Sequence, residues 1–271
     1  MTPSPLRLVV PGAAGKMGRM LVRIIAESEH LQLAAATEHA GSLALGQDAG
    51  LLAGAGAVGV RVTSSDAPVD ADVIIDFTSP QATVAMLSRA AAARLAVVIG
   101  TTGLGEAERK AIEQASSEIP IVFSANMSLG VNVLFGLLRQ AARTLGNDYD
   151  IEIVESHHRH KRDAPSGTAL AMAQVLTDEL GREASDLRYG RHGNVGERTR
   201  KEIGLHAVRG GDIVGDHVVS FCGIGERVEL AHRASSRETF ARGALRAAEW
   251  LRDRDPGLYD MQDVLGLRID P

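Results

Sequence analysis

Apolar residues in the first half of the chain fall in short unbroken runs, separated by stretches where they recur every third or fourth position. Residues 6–10, Leu-Arg-Leu-Val-Val, form the first run and predict a buried strand. Behind it, residues 16–28 place Met17, Met20, Leu21, Ile24 and Ile25 on one helical face. Residues 31–37 are a second apolar run, closed by Glu38. Further strands are expected over 73–77, 96–100 and 121–124, with helices over 80–93 and 105–116 between them. This alternation predicts a parallel sheet covered on both faces. The glycine-rich segment 40–70 carries little pattern, and one strand is expected there, over 58–62.

The pattern changes after Asn126. Residues 130–145 predict a helix, and 149–155 alternate apolar with polar as a half-buried strand does. A helix follows over 167–180, introduced by Pro165 and Ser166. Residues 186–201 are polar, with Gly190, Gly193 and Gly196, and read as a mobile loop. Strands over 203–208, 213–222 and 227–232 follow with turns between them and no helices. That favours an antiparallel or mixed sheet with a partly open face. Ser235-Ser236-Arg237-Glu238 has the spacing of a capping box and starts a helix to about Arg252, after which only a short tail is expected. The fold class is therefore α/β: a Rossmann-type, doubly wound parallel sheet, then a smaller α+β domain with an open mixed or antiparallel sheet.

Composition narrows the chemistry. With 271 residues, 45% hydrophobic, the chain has enough material for one large or two modest domains. Aromatics make up 3%, so aliphatic side chains must fill the cores. A net charge of −5 argues against a nucleic-acid partner. Cys222 is the only cysteine, which excludes an intramolecular disulfide and a cysteine-rich zinc site, and fits a reducing compartment. No signal segment or membrane span is expected, so the protein reads as cytoplasmic.

Two stretches carry chemistry. Gly12, Ala13, Ala14, Gly15, Lys16, Met17 and Gly18 join the first strand to the first helix as G-x-x-G-x-x-G. Glycines let the backbone turn tightly and approach a pyrophosphate, whose charge sits at the helix N-terminus. The plainer reading is a tight turn without a ligand, but Glu38, at the end of the second strand, is placed to accept from the ribose hydroxyls of NAD. A carboxylate there would repel the 2′-phosphate of NADP, which Lys16 and His39 could offset, so NADH, NADPH or both are expected as cofactors. Gly100-Thr101-Thr102-Gly103 follows another strand and faces the same sheet edge, as a ligand loop or an ordinary one.

The second stretch runs Glu155-Ser156-His157-His158-Arg159-His160-Lys161-Arg162-Asp163-Ala164-Pro165-Ser166-Gly167-Thr168-Ala169. Three histidines suggest zinc, but no thiol or well-spaced carboxylate completes a ligand set, so no metal is expected. A solvated basic loop is the plain alternative. A histidine and a lysine close together suit proton donation near neutral pH. Ser166, Gly167 and Thr168 open a helix whose N–H groups and hydroxyls suit a carboxylate. Together with a nicotinamide, this segment asks for a small anionic substrate that is reduced and protonated. Arg209-Gly210-Gly211-Asp212 reads as a turn between strands, with a charge contributed to the site as the lesser alternative, and the basic run 188–201 as solvated rather than as a phosphate site.

These stretches resemble the bacterial 4-hydroxy-tetrahydrodipicolinate (dihydrodipicolinate) reductases. So do Gly100 to Gly103, Ala125-Asn126-Met127-Ser128-Leu129-Gly130-Val131-Asn132, Val208-Arg209-Gly210-Gly211-Asp212-Ile213-Val214-Gly215 and His232-Arg233-Ala234-Ser235-Ser236-Arg237. The resemblance covers essentially the whole chain. It implies NAD(P)H-dependent reduction to tetrahydrodipicolinate in the diaminopimelate and lysine pathway. It makes His157 a proton donor or acceptor, Lys161 a proton donor, and His158, Gly167 and Thr168 substrate-holding, with Ser166 nearby. It lays the cofactor along Gly12 to Met17, Glu38, Gly100, Thr101, Thr102, Ser124, Ala125, Asn126 and Met127. It implies a homotetramer built through the second domain's sheet, and a C-terminal helix that returns to the first. The expected domains are thus 1–127 with 238–271, binding the dinucleotide, and 128–237, for substrate and oligomerisation. Two departures stand out: His39 occupies a position where relatives often carry arginine, and Met127 one where many carry phenylalanine. The rival readings are an NAD-dependent dehydrogenase of another small amino acid or dicarboxylate, and a non-catalytic NAD-sensing module.

Overall fold

The alternating runs of the first half do form a parallel sheet. In a computed structural model that describes residues 4–64 and 70–268, the chain begins with β1 (Leu6–Pro11), α1 (Lys16–Ala26), β2 (Leu31–Glu38), α2 (Ala49–Ala53), β3 (Val62–Ser64), β4 (Val73–Asp76), α3 (Pro80–Ala93), β5 (Ala96–Ile99), α4 (Glu106–Ser116) and β6 (Pro120–Phe123). There follow α5 (Leu129–Leu145), β7 (Asp150–His157), α6 (Gly167–Leu180), β8 (Leu187–Tyr189), β9 (Ile203–Arg209), β10 (Gly215–Cys222) and β11 (Arg227–Ala234). Last come α7 (Glu238–Leu251), β12 (Gly257–Tyr259) and α8 (Met261–Leu265). Met1–Pro3, residues 65–69 of the glycine-rich segment and 269–271 of the tail lie outside the described residues. The chain divides into two compact units, one reaching Ser128 and resuming over Phe240–Gly266, the other comprising Leu129–Thr239 and the chain end from Leu267.

Unit 1 holds a seven-stranded sheet in the order β12-β6-β5-β4-β1-β2-β3, with every pairing parallel. Its central strands are buried on both faces, which is why they read as unbroken apolar runs. After β3 the chain returns to the other side of β1, so the strand order reverses between β1 and β4. Ligands bind at the carboxyl ends of strands at such a switch point. Ala244, Leu245, Ala248 and Leu251 of α7 pack in one cluster with Leu8, Val10, Leu21 and Ile25.

Unit 2 holds a five-stranded sheet, β11-β10-β7-β9-β8, mixed in direction: β10 runs antiparallel to β7 and β11, while β9 runs parallel to β7 and β8. Ile151, Ile153, Val219 and Phe221 turn inward onto Leu134 and Leu138 of α5 and Met172 and Leu176 of α6. The opposite face carries Glu152, Val154 and Ser220.

Several expectations are corrected. The strand expected over 58–62 forms only at Val62–Ser64, preceded by the helix α2, because the Asp48 carboxylate takes the N–H groups of Gly50, Leu51, Val58 and Gly59 at 2.8–3.1 Å. The loop 186–201 contains β8, and Arg191 and Arg198 pin it to Glu152 at 2.7 and 3.0 Å, so it is held by charge pairs rather than mobile. At α7 it is Ser236, not Ser235, that accepts from the Glu238 N–H, at 3.1 Å. The tail supplies β12, paired to β6, and α8, whose start Asp260 caps. The strand expected to stop at residue 155 runs on to His157, because β9 and β10 both pair with its last residues.

The close packing of α1 on the glycine turn is testable. A Cβ at Gly18 would sit 2.2 Å from the Gly12 carbonyl oxygen and 2.7 Å from Ala13 Cα, both backbone atoms. Gly18→Ala should cost about 1–3 kcal/mol, read as a lowered urea midpoint with an unchanged slope.

Candidate active site

In unit 1 the glycine turn lies at the switch point. Gly12 adopts φ +64°, which a side chain would strain, and Gly15 N–H donates to Gly12 O at 2.9 Å. Gly15 occupies the N-cap of α1 and has no side chain to close it, so the first N–H groups of that helix are open to an anion. Lys16 begins the helix, exposed, while Met17 is half-buried against the core and Ala13 is buried beneath the turn. Glu38 Oε1 accepts from Ala14 N–H at 3.0 Å, so the acid at the strand end braces the turn itself. His39 follows it, exposed.

A cleft of about 690 Å³ opens here, lined by Gly12, Gly15, Glu38, His39, Asp76 and Thr78 among others. Asp76 ends β4 and is 1% exposed, and it accepts from Thr78 N–H at 3.1 Å and from Thr101 Oγ1 at 3.0 Å. That second bond ties the loop Gly100-Thr101-Thr102 to the cleft, with Thr101 buried and Thr102 exposed. A Cβ at Gly100 would meet the Phe77 ring at 2.2 Å, so only glycine fits. Ser124, Ala125 and Asn126 follow β6, and Ser124 Oγ donates to the Asn126 carbonyl at 3.1 Å. Met127 is 1% exposed within the core cluster, so it anchors that segment rather than presenting a thioether at an open edge. The open helix start, the glycine backbone and the acid at the end of β2 fit a dinucleotide.

In unit 2, alternation along β7 turns Ile151, Ile153, Glu155 and His157 to one buried face. Glu155 is 1% exposed and His157 9%. Glu155 Oε2 lies 2.6 Å from His157 Nδ1, and Oε1 accepts from Ser166 N–H at 3.0 Å. Arg209 grips both oxygens, Nη1 to Oε2 at 2.8 Å and Nη2 to Oε1 at 2.7 Å. Burial opposes ionisation of Glu155, but the hydrogen bonds from Arg209 and His157 outweigh it and hold the carboxyl below its usual range. Arg209 also donates to the Asp163 carbonyl at 2.7 Å, which fastens the loop to the end of β9. The segment read chiefly as a turn thus begins with an arginine whose charge meets Glu155, as the lesser of its two readings had it.

Ser166, 2% exposed, caps α6 by accepting from Ala169 N–H at 3.1 Å, and its hydroxyl lies 3.1 Å from His217 Nε2. Gly167, exposed, and Thr168, half-buried, form the first turn of that helix. The His217 ring stands edge-on to His157 at 5.3 Å, and burial pushes His217 down to about 4, so it is neutral. Lys161 Nζ pairs with Asp163 at 2.9 Å, and that bond lowers the Asp163 carboxyl. His158 is lowered by desolvation and then by Arg237, whose Nη2 lies 3.4 Å from its Nε2. His157, Lys161, Ser166, Gly167 and Thr168 thus belong to one neighbourhood in the fold of unit 2. His158 turns toward Arg237 and His160.

Among the described residues no group of three or more His, Cys, Asp or Glu side chains could hold a metal ion. No helix of the described residues is long and apolar enough to cross a membrane. Sequence reasoning gave no role to Glu155, His217, Arg237 or Asp76. The period of two along β7 was the available signal for Glu155, and an acid closing an apolar run, as at Glu38, was the signal for Asp76.

Comparison with known proteins agrees over nearly the whole chain. Residues 6–127 match the family model for the N-terminus of dihydrodipicolinate reductase, and residues 130–265 match that for its C-terminus. A 4-hydroxy-tetrahydrodipicolinate reductase of Anaeromyxobacter dehalogenans is 54% identical over 97% of this chain and 98% of its own. One from Alkalilimnicola ehrlichii is 53% identical over 96% of this chain and 99% of its own. In fold, the chain is similar to a dipicolinate-bound dihydrodipicolinate reductase from Paenisporosarcina sp. TG-14, with a TM-score of 0.75 at 22% identity, covering 96% of this chain and 98% of that one. A parallel sheet with its glycine turn at the switch point, a mixed sheet carrying the histidine-lysine segment, and relatives at this identity agree that the chain belongs to the dihydrodipicolinate reductase family.

Proposed function

We propose that this oxidoreductase converts 4-hydroxy-tetrahydrodipicolinate, by way of dihydrodipicolinate, to tetrahydrodipicolinate in the diaminopimelate and lysine pathway, using NADH or NADPH. The observation that carries the reading is the buried carboxylate of Glu155, which bonds both His157 and the anion-accepting helix start at Ser166. Residues 1–127 with 238–271 serve the dinucleotide, and 128–237 the substrate and oligomerisation. A reduced nicotinamide held along Gly12 to Met17, Glu38, Gly100 to Thr102 and Ser124 to Met127 would supply hydride.

The chain's own groups supply the rest. The first N–H groups of α6, at Gly167 and Thr168, take one substrate carboxylate, and Ser166 holds the turn in place. Lys161 Nζ, now on Asp163, has a second carboxylate oxygen to exchange for when the dicarboxylate arrives. His157 or Lys161 then delivers the proton that completes reduction of the ring. His158 adds a contact to the substrate. We place the work in the cytoplasm, with no nucleic-acid or membrane partner. Assembly is as a homotetramer through the open sheet face of unit 2, where Val154 and Val208 are 36% and 47% exposed.

Replacing His157 and Lys161 together by alanine should abolish nearly all turnover while NADH still binds, as measured by nicotinamide fluorescence. Normal turnover in that variant would refute the assigned roles. A coupled assay on 4-hydroxy-tetrahydrodipicolinate generated in situ, run with each cofactor in turn, tests the reaction and the preference. NADH is expected to serve well, and Glu38→Gln, which keeps an oxygen for Ala14 N–H, should move kcat/KM toward NADPH by about tenfold. The neutral His217 beside Ser166 makes a further prediction. An unfolded histidine takes up its proton near 6.5, whereas His217 in the fold does so only near 4. Between these values the unfolded chain binds more protons, so stability falls as pH drops, by up to roughly 3 kcal/mol. His217→Gln should remove about 2 kcal/mol of the stability difference between pH 7 and pH 5, read from the urea midpoints at the two pH values.

A further inference from the structure

We infer that Glu155 and Arg209 are a positioning pair that fixes which ring nitrogen of His157 meets the substrate. This rests on the proton-handling role proposed for His157. An ionised carboxylate accepts hydrogen bonds and cannot donate them. With Oε2 at 2.6 Å from Nδ1, Glu155 therefore selects the ring form whose Nδ1 carries hydrogen, and leaves Nε2 to give or take the working proton. On β10 residue 215 is glycine, and a Cβ there would come within 3.1 Å of that nitrogen.

Arg209 makes the selection firm. It is the register partner of His157 across β7 and β9, so its side chain rises on the same face. Its two bonds, at 2.8 and 2.7 Å, fix the plane of the carboxylate and keep it ionised although it is 1% exposed. In that fixed plane the second oxygen receives Ser166 N–H at 3.0 Å. One carboxylate thus orients the proton carrier with one oxygen and the start of the substrate-holding helix with the other.

A bland structural ion pair would show the same distances, but Glu155→Gln separates the two. Ser166 N–H can only donate, so the glutamine must offer it the amide oxygen. The amide NH2 then replaces the oxygen shared by Arg209 Nη1 and His157 Nδ1: Nη1 keeps its bond to the Val208 carbonyl at 2.7 Å, and Nδ1 can meet the NH2 only by becoming the acceptor. Hydrogen moves to Nε2, the wrong form for the neutral ring, while the cradle at Ser166 is spared. Turnover per NADH-binding site is therefore expected to fall about 100-fold or more, with KM for the hydroxylated precursor within about threefold of wild type. NADH affinity should be unchanged. A loss in turnover of less than about tenfold, or a change confined to KM, would overturn the inference.

If Glu155→Gln does not fold, the double variant Glu155→Met with Arg209→Met removes both charges together, a replacement that buried pairs tolerate well. The same loss of turnover in folded, NADH-binding protein is expected, and retained turnover would equally overturn the pairing. His157→Gln run alongside distinguishes the two levels of the argument. If it is inactive while Glu155→Gln is normal, the positioning pair alone falls. If His157→Gln itself is normal, the proton-handling assignment falls, and the pair with it.

Discussion

A carboxylate taken out of water must be met by donors on every side, because an unpaired one costs several kcal/mol. Glu155 imposes that requirement on unit 2. Meeting it draws together groups from β7 itself, from the start of α6 and, far along the sequence, from the end of β9. The loop between His158 and Pro165 is closed by the same demand, since Arg209 reaches past Glu155 to the Asp163 carbonyl. The chemistry of the segment therefore depends on one buried charge as much as on the histidines that make it conspicuous.

Unit 1 depends on a different constraint, the approach of backbone to backbone. Gly18 lets α1 lie against the Gly12 carbonyl, and Gly100 lets the loop after β5 pass the Phe77 ring. Side chains finish what the glycines permit: Glu38 braces the turn, and Asp76 gathers Thr78 and Thr101 at the neighbouring strand end. Both acids close apolar strands at the edge where the order reverses, so cleft and scaffold share the same residues.

Much of this was legible in the chain. Unbroken apolar runs marked β1, β4 and β5 because burial on both faces leaves no polar position, and the spacing of Met17, Leu21 and Ile24 marked α1. The histidine-lysine segment stood out through residue type, and the fold places its His157, Lys161 and Ser166 in one neighbourhood of unit 2. What stayed hidden depended on partners distant in sequence. Arg209 looked like the first residue of a turn, and only the pairing of β7 with β9 brings it to Glu155. The order in 40–64 comes from Asp48 collecting N–H groups up to eleven residues away, which no local periodicity records. The arginines of the 190–201 loop read as solvated until the sheet supplied Glu152 as their counter-charge.

The return of the chain to unit 1 has a consequence for how the protein is made. β12 covers the β6 edge of the first sheet, and α7 fills space beside Met127, where a Cβ on Gly243 would strike the Met127 carbonyl oxygen. These pieces leave the ribosome only after the whole of unit 2 has been synthesised. Until then the nascent first part of unit 1 carries a bare strand edge and an uncovered apolar surface, both prone to unwanted association. The core cluster of unit 2, drawn from Val131 to Leu230, can be completed in the meantime, so the order of synthesis favours maturation of unit 2 before unit 1.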